Sequence, residues 1–232
     1  MKYKARRLFA ALRHASIRAH FSQYGEDVHL HKHFRQQREG FYVDVGAHHP
    51  FHLSNTASLW LKGWRGINVD ASQKAVAMFD RLRPQDTNIC AAIVDADTAA
   101  GSETVTFYFS KDIDNCATCD PALARERGMQ HSETVPCRSL MQILEQAHGL
   151  SGGRVDLLNI DIEGLDEMAV ADVSRWPLYP SVLMIEIYGQ TVRDVLQSPA
   201  NIALEAEGYR LLERIGHTAI YHHMPQAGAE RR

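Results

Sequence analysis

The sequence predicts an α/β fold in which a mostly parallel sheet carries helices on both faces. Short β-rich apolar runs alternate with helix-length segments through most of its 232 residues, and this alternation is typical of such sheets. A second observation is the segment YRLLERIGHTAIYHH, 209–223, in which two strand-like runs flank a tight turn at Gly216 and His217. This segment predicts an antiparallel hairpin that closes the sheet.

Strands and helices follow one another through the first half of the chain. FYVDV is a continuous β-rich run of the kind that is buried on both faces of a sheet. Ser54 can cap a helix through TASLWLK, and Gly63 suits its end. GINVD predicts a second strand, and SQKAVAMFDRLR predicts a helix that must end near Pro84. TNICAAIV predicts a third strand, and VTFYFS an additional or edge strand.

The segment 111–133 interrupts this alternation because it has no clear periodicity. Long irregular segments in a compact domain are usually functional or mobile, so we expect this one to be an insertion that helps to form a binding site. The alternation then resumes with a helix at SLMQILEQAHG, a strand at VDLLNID, a helix at LDEMAVADV, a strand at SVLMIEI and a last helix at NIALEAEG.

No domain linker or internal repeat is evident in the sequence. We therefore expect a single domain over 22–224, preceded by a basic helix or tail over 1–21 and followed by a disordered tail over 225–232. The segment 1–21 contains no Asp or Glu. It could form a dimer contact, touch an anionic membrane surface, or do neither.

Composition excludes several classes of function. The net charge of −3 argues against a general nucleic-acid-binding protein, which would show a clustered basic excess. No apolar run approaches the roughly 20 residues that span a bilayer. The four cysteines, Cys90, Cys116, Cys119 and Cys137, are too few and too irregularly spaced for a disulfide framework, so we expect a cytoplasmic protein.

The stretch GFYVDVGAHHPFHLSNT, 40–56, resembles the turn of a dinucleotide-binding fold but lacks most of its glycines. Asp44, Gly46 and His49 occupy the three glycine positions of that turn. A carboxylate there would repel a pyrophosphate, whereas it suits the cationic, phosphate-free cofactor S-adenosylmethionine. Asp70 ends the second predicted strand, where an acid commonly accepts hydrogen bonds from ribose hydroxyls.

Seven blocks of the sequence carry a family resemblance: SQYGED, FYVDVGAHHP, SNT, GWRGINVD, RPQDTN, LLNIDIEGLD and VLMIEI. In this order, from about Ser22 to the terminal hairpin, they resemble the FkbM family of S-adenosylmethionine-dependent methyltransferases. The resemblance implies a class I methyltransferase (Rossmann-like) fold with a seven-stranded sheet whose last strand is antiparallel. It also implies methyl transfer, typically to an oxygen of a sugar or secondary metabolite.

Two departures from the family pattern stand out. Ala71 and Ser72 occupy the place where related chains often have a proline-containing turn, and NCAT replaces a motif close to NTFS. The second departure lies in the segment 111–133 and so concerns the acceptor pocket more than the cofactor site.

The expected cofactor contacts combine the strand-end acids with residues that the resemblance implies. Plain helix caps or a capping stretch are the alternatives for Gln23, Tyr24, Ser54 and Asn55. The expected set is Gln23, Tyr24, Asp44, Gly46, Ala47, Ser54, Asn55, Asp70, Ala71 and Asp161.

The candidate catalytic residues are the acids of NIDIEGLD and MIEI together with a histidine. Asp161 and Glu186 end neighbouring predicted strands and Glu163 follows in a turn, so their charges should converge at the edge where open α/β sheets bind ligands. Such convergence is costly unless the acids bind cations, share protons or catalyse a reaction. Asp161 or Glu163 could be the general base with Glu186 shaping the acceptor site, and His48 and His49 could line the pocket, with His49 as a further candidate base.

Two alternatives for these acids stay open. Asp161 and Glu186 could instead hold Mg²⁺, which prefers oxygen ligands and would lower the pKa of an acceptor hydroxyl. Glu163 could simply be an acid at a helix N-terminus. The histidines of HLHKH, 29–33, are interpreted as a polar helix face.

The leading expectation is an S-adenosylmethionine-dependent O-methyltransferase that acts on a sugar hydroxyl of a glycan or glycosylated metabolite. The alternatives are methylation of an amine or carboxylate of a small metabolite, and a cofactor-binding protein without catalysis. The sequence does not identify the acceptor.

Overall fold

The computed structural model describes residues 20–110 and 117–224. Three parts of the chain lie outside the described residues: 1–19 of the basic helix or tail expected over 1–21, 111–116 of the expected insertion, and the tail expected over 225–232. The strands are β1 (Phe41–Val45), β2 (Arg65–Asp70), β3 (Thr87–Cys90), β4 (Ala92–Val94), β5 (Thr104–Phe109), β6 (His131–Ser139), β7 (Leu157–Ile160), β8 (Val182–Glu186), β9 (Tyr209–Ile215) and β10 (Thr218–His223). The α-helices are α1 (Glu26–His33), α2 (Ala57–Leu61), α3 (Gln73–Leu82), α4 (Ala96–Gly101), α5 (Pro121–Glu126), α6 (Leu140–Ser151), α7 (Asp166–Val170), α8 (Val192–Gln197) and α9 (Pro199–Ala206).

The main sheet has seven strands in the order β3-β2-β1-β7-β8-β10-β9. Neighbouring strands from β3 to β8 run parallel, and β10 runs antiparallel to both β8 and β9. The last strand of the chain is therefore the one that runs against the others, and the predicted fold class and terminal hairpin are confirmed. The order reverses between β1 and β7, which is the point where sheets of this kind bind ligands.

The prediction of one strand over TNICAAIV is wrong. The amide of Ala91 donates to the carbonyl of Asp70 (3.0 Å) as the pairing of β3 with β2 ends. The chain then leaves the main sheet, and β4 pairs in parallel with β6 in a three-stranded sheet of order β4-β6-β5. The apolar run is continuous in the sequence, so no residue marks the change of sheet.

Part of the segment 111–133 is regular, which corrects the prediction. Asp120 caps α5 by accepting from the amides of Ala122 (2.7 Å) and Leu123 (3.4 Å), and Pro121 occupies its first turn. Strand β6 then begins at His131. Its first four residues are exposed, so it shows no apolar alternation there that a sequence pattern could reveal.

Both faces of the central strands are buried, as FYVDV predicts. Side chains from β1, β7 and β8 pack on one face beside α6 and α9, and on the other face beside Leu30 of α1, Leu59 of α2 and Trp64. Residues within HLHKH take part in this packing, so their interpretation as a polar face is wrong for His29, whose side chain is only 8% exposed.

A buried arginine anchors the turn that follows β1. Arg83, which is fully buried at the end of α3, donates to Thr56 Oγ1 (2.9 Å), Ser54 Oγ (3.1 Å) and the carbonyl of Pro50. The guanidinium also faces the rings of Phe51, Trp60 and Phe79.

Carboxylates balance the charge of Arg83. Asp44 Oδ2 accepts from Thr56 Oγ1 (2.6 Å), while Asp86 accepts from Tyr42 and from Asn68 Nδ2 (3.1 Å). Arg83 in turn donates to Tyr42 and Asn68. This polar network couples β1, β2 and the turn after β1 beneath the sheet edge.

Gly46 is required by the packing of β1 against β7. It has φ +76, and a Cβ at this position would lie 1.7 Å from the carbonyl oxygen of Asp161. The amide of Gly46 donates to the carbonyl of Val69 (2.9 Å), so this residue links three neighbouring strand ends. Glycine is the residue that permits both the positive φ and the close backbone approach.

Replacing Arg83 tests how much the polar network contributes to the stability of the fold. Arg83→Met removes the cation from the buried Asp44 and the half-buried Asp86, so we expect a loss of about 3–5 kcal/mol in the free energy of unfolding by urea titration. Arg81→Met, an exposed site in the same helix, is the matched control with an expected change within about 0.5 kcal/mol. Equal effects of the two substitutions would contradict this role.

Gly46→Ala should lower the free energy of unfolding by on the order of 3 kcal/mol or more, because strained φ and a backbone clash combine. Gly63→Ala separates these two causes, since Gly63 has φ +108 with no atom within 4 Å of the added Cβ. Its expected cost is ~1–2 kcal/mol from backbone strain alone. Thermal unfolding of both variants measures the difference, and similar values would show that the Asp161 contact is unimportant.

Candidate active site

Two adjoining cavities open at the carboxyl ends of β1, β2, β7 and β8. They share a wall formed by Gly46, His48, Asp161 and Glu163. This is the edge of the sheet where the strand order reverses, so the topology places the cavities where ligands of open α/β sheets bind.

The first, which we call the apolar cavity, encloses about 560 Å³ including its open mouth. Small and aliphatic side chains dominate its lining, and Phe107 of the three-stranded sheet covers one side. Its lining residues are Gly46, His48, Val69, Asp70, Ala71, Ala91, Ala92, Ile93, Phe107, Ala117, Thr118, Cys119, Asp161, Ile162, Glu163 and Leu165.

Asp70 is the acid at the end of β2, and its carboxylate joins two loops. Oδ2 accepts from the amide of His48 (2.8 Å) and Oδ1 accepts from the amide of Ser72 (2.8 Å). Desolvation in the cleft raises the pKa of Asp70 to about 6, although both amide hydrogen bonds oppose the shift. The carboxylate oxygens retain lone pairs that can accept from a ligand in the apolar cavity.

The second, which we call the polar cavity, encloses about 720 Å³ including its open mouth. Four carboxylic acids line it, from α1, from the turn after β7 and from the end of β8. Its lining residues are Gln23, Tyr24, Glu26, Gly46, His48, Leu53, Asn55, Asp161, Glu163, Glu186, His217 and Thr218.

Crowding of these acids shifts their protonation. Burial raises the pKa of Asp161 well above its usual range, and the charges of Glu186, Asp166 and Glu163 add to the shift. Burial and the charge of Glu186 also raise the pKa of Glu163. Among the described residues, Glu186 Oε2 is buried without a hydrogen-bond partner. The polar cavity therefore attracts cations and hydrogen-bond donors.

Glu163 is held in place by neighbouring groups. Its carboxylate accepts from Arg127 (3.0 Å) and from the hydroxyl of Tyr188 (3.5 Å). Its carbonyl accepts from Thr118 Oγ1 (3.3 Å). Arg127 and Thr118 both belong to the segment 111–133, so this segment reaches the shared wall of the cavities.

Backbone strain concentrates at the polar cavity. Within the described ranges, the residues other than glycine with positive φ are His48 (+53), Leu53 (+56) and Glu163 (+52), and all three line this cavity. Residues other than glycine rarely adopt this conformation, and it clusters at functional sites.

The structure brings most of the expected cofactor residues to the cavities. Gln23, Tyr24 and Asn55 line the polar cavity, and Asp70 and Ala71 line the apolar cavity. Gly46 and Asp161 line both.

Three expected cofactor residues lie behind the walls of the two cavities. Asp44 is buried and accepts from Thr56 and from Asn159 Nδ2 (2.9 Å), so both of its oxygens serve the polar network. Ser54 Oγ accepts from Arg83 and from the amide of Ala57 (3.2 Å). Ala47 is buried and lines neither cavity.

The two histidines after Gly46 have different surroundings. His49 Nδ1 accepts from the amides of Phe51 (3.0 Å) and His52 (2.9 Å), so it stabilises its own turn. His48 is the histidine that lines the two cavities. Burial, reinforced by the charges of His52 and Arg83, lowers the pKa of His49.

The resemblance implied that Glu26, like Gln23 and Tyr24 of SQYGED, packs over the cofactor, whereas the sequence assigned no site role to His217 or Arg127. Glu26 is buried and accepts from the amide of Tyr24 (2.8 Å), and His217 enters the polar cavity from the terminal turn. The SQYGED block pointed to the neighbourhood of Glu26. The irregular segment 111–133 pointed to the neighbourhood of Arg127, but nothing in the sequence pointed to its contact with Glu163, which joins positions far apart in the chain.

In residues 20–110 and 117–224, no group of three or more His, Cys, Asp or Glu side chains is arranged to hold a metal ion. Within the same ranges, no helix has the length and apolar character required to cross a membrane.

One of three comparisons with known proteins identifies a family. A solved structure of a TehB-like SAM-dependent methyltransferase from Corynebacterium glutamicum ATCC 13032 Kitasato is 13% identical, with 96% of this chain and 97% of that chain covered and a TM-score of 0.43. None of the curated proteins matches the chain. The family model described as the methyltransferase FkbM domain matches residues 44–211, so the chain belongs to the FkbM methyltransferase family.

Proposed function

We propose that the protein is an S-adenosylmethionine-dependent O-methyltransferase whose acceptor is a sugar hydroxyl of a glycan or glycosylated metabolite. The observation that carries this proposal is the meeting of an apolar cavity and an acid-lined cavity at Asp161, on the sheet edge where the strand order reverses.

The two cavities suit the two halves of the cofactor. Val69, Ala92 and Phe107 offer apolar surface to an adenine ring, and Asp70 offers carboxylate oxygens to ribose hydroxyls. Asp161 and Glu186 offer negative charge to the sulfonium and ammonium groups. Bound in this way, the cofactor would supply an activated methyl group.

We assign the proton transfer to Asp161. Glu163 is engaged by Arg127 and Tyr188, whereas Asp161 has a strongly raised pKa at the junction of the cavities. A carboxylate with a raised pKa is a better proton acceptor for a hydroxyl. Glu186, with its unpartnered Oε2, would orient the acceptor, and His48 takes the place of His49 as the histidine beside the reacting groups.

Charge in the polar cavity favours a hydroxyl acceptor over the alternatives. The acids would repel a carboxylate acceptor. They would also stabilise the protonated form of an amine, which has no lone pair with which to attack a methyl group. An uncharged polyol can donate hydrogen bonds to Asp161 and Glu186 without either penalty.

Asp70→Asn should weaken S-adenosylmethionine binding by about 10- to 100-fold, because hydrogen bonds to a charged carboxylate are lost or redirected. Isothermal titration calorimetry measures the affinity. Asp97→Asn, an exposed acid in α4, should leave it unchanged. Unaltered affinity in Asp70→Asn would contradict the assignment of the apolar cavity to the nucleoside.

Asp161→Asn should lower methyl transfer by about 10²- to 10⁴-fold, the usual contribution of a general base. The assay uses labelled S-adenosylmethionine with a total glycan and metabolite extract, and NMR identifies the methylated atom. Glu145→Gln, an exposed acid in α6, is the control with unchanged rate. Labelled nitrogen or carboxylate products would overturn the hydroxyl assignment, and cofactor binding without any transfer would favour the cofactor-binding protein that does not catalyse.

A further inference from the structure

Three imidazoles meet between α1 and the terminal hairpin, away from the two cavities. We call His29, His33 and His222 the imidazole cluster. The ring centroids of His33 and His222 are 4.0 Å apart, and those of His29 and His222 are 5.9 Å apart. His29 Nδ1 lies 2.7 Å from Glu213 Oε2 on β9. Among the described residues, His29 Nε2 and His222 Nε2 are buried with no hydrogen-bond partner.

Both elements that carry the cluster also line the polar cavity. The segment leading into α1 supplies Gln23 and Tyr24, and the hairpin supplies His217 and Thr218. The ring of Tyr24 lies so close to Gly216 that a Cβ there would be 2.7 Å from it. The position of α1 on the hairpin therefore sets one wall of the polar cavity.

We propose that the imidazole cluster is a proton-sensitive latch, which holds α1 against the terminal hairpin when His33 and His222 are neutral and releases it when they are protonated. Its effect on cofactor binding rests on the proposed function. Docking of α1 itself does not, because it depends on Leu30 and on Phe34, the residue that follows α1, which pack in the core beside Trp64 and do not line the polar cavity.

The charged groups around the cluster do not neutralise imidazolium ions at His33 and His222. Glu213 contacts His29 alone among the cluster. Arg210 lies opposite His222 on β9 and donates to the carbonyls of Glu205 (3.1 Å) and Tyr209 (2.8 Å), and Lys62 at the end of α2 donates to the carbonyl of Phe34. These two cations add to the positive potential that a protonated cluster would experience.

Burial determines the direction of the pH effect. Burial and the neighbouring imidazoles lower the pKa of His222 from 6.5 to about 4, although the charge of Glu213 opposes the shift. His33 is more exposed, and partial desolvation followed by the charge of His29 lowers its pKa. The released state binds protons more tightly than the docked state. Docking is therefore full above pH 6.5 and is lost as the pH falls from 6.5 toward 4.

Hydrogen exchange of the full chain tests the latch without a ligand. Amides of α1 should open on the order of tenfold more often at pH 5 than at pH 8 after correction for intrinsic rates. Amides of β1 serve as the internal reference. Equal opening of α1 at both pH values would overturn the proposal.

His222→Phe keeps an aromatic ring beside His33 and removes a titrating group, so it should reduce the pH dependence of α1 opening several-fold. His131→Phe, an exposed histidine on β6, is the matched control and should keep the wild-type dependence. His222→Gln replaces His222→Phe if that variant fails to fold. A wild-type pH dependence in the folded His222 variant would overturn the proposal.

Calorimetric titration of S-adenosylmethionine at pH 8 and pH 5 separates this inference from the proposed function. If the latch exists, the affinity for S-adenosylmethionine should fall less between pH 8 and pH 5 in His222→Phe than in the wild type. Equal losses would contradict the coupling of the latch to the polar cavity. If no form binds the cofactor at either pH, the proposed function fails, and hydrogen exchange still decides whether the latch exists.

Discussion

Burial of the Arg83 guanidinium is the constraint on which the rest of the structure depends. A fully buried cation is tolerated only when it is paired and hydrogen-bonded. Here that requirement gathers Asp44, Asp86 and the turn containing Pro50 and Thr56 around one side chain. The sheet edge is rigid because each of these groups would be left unsatisfied in the buried interior if the turn moved.

This rigidity allows the acids of the polar cavity to lie close together. The carboxylates of Asp161 and Glu186 repel one another, and burial removes water from Asp161. Both effects cost free energy, and in a less rigid site the side chains would move apart to reduce this cost. Gly46, locked against the backbone of Asp161, and Glu163, held in the left-handed region by its neighbours, prevent that relaxation. The excess negative charge is then available to a cationic cofactor.

The same arrangement connects distant parts of the chain to one site. Arg127 brings the segment 111–133 to the shared wall, and the hairpin brings His217. The imidazole cluster lies on the same hairpin and on α1, so the latch that we propose would act on the polar cavity through these two elements. Residues outside the cofactor-binding motifs therefore form part of the walls of the two cavities.

The amino-acid sequence by itself determined the sheet, the terminal hairpin and the acids at the strand ends, because apolar periodicity and turn residues are local signals. Only the tertiary structure decided which neighbouring residues face the cavities. The carboxylate of Asp44 turns into the Arg83 network while that of Asp70 faces the apolar cavity, and His48 rather than His49 lines both cavities. The sequence pattern likewise gave no indication that the chain changes sheet at Ala91 or that Arg127 contacts Glu163. In each case the deciding partner is distant in sequence, and long-range packing leaves no trace in a local pattern.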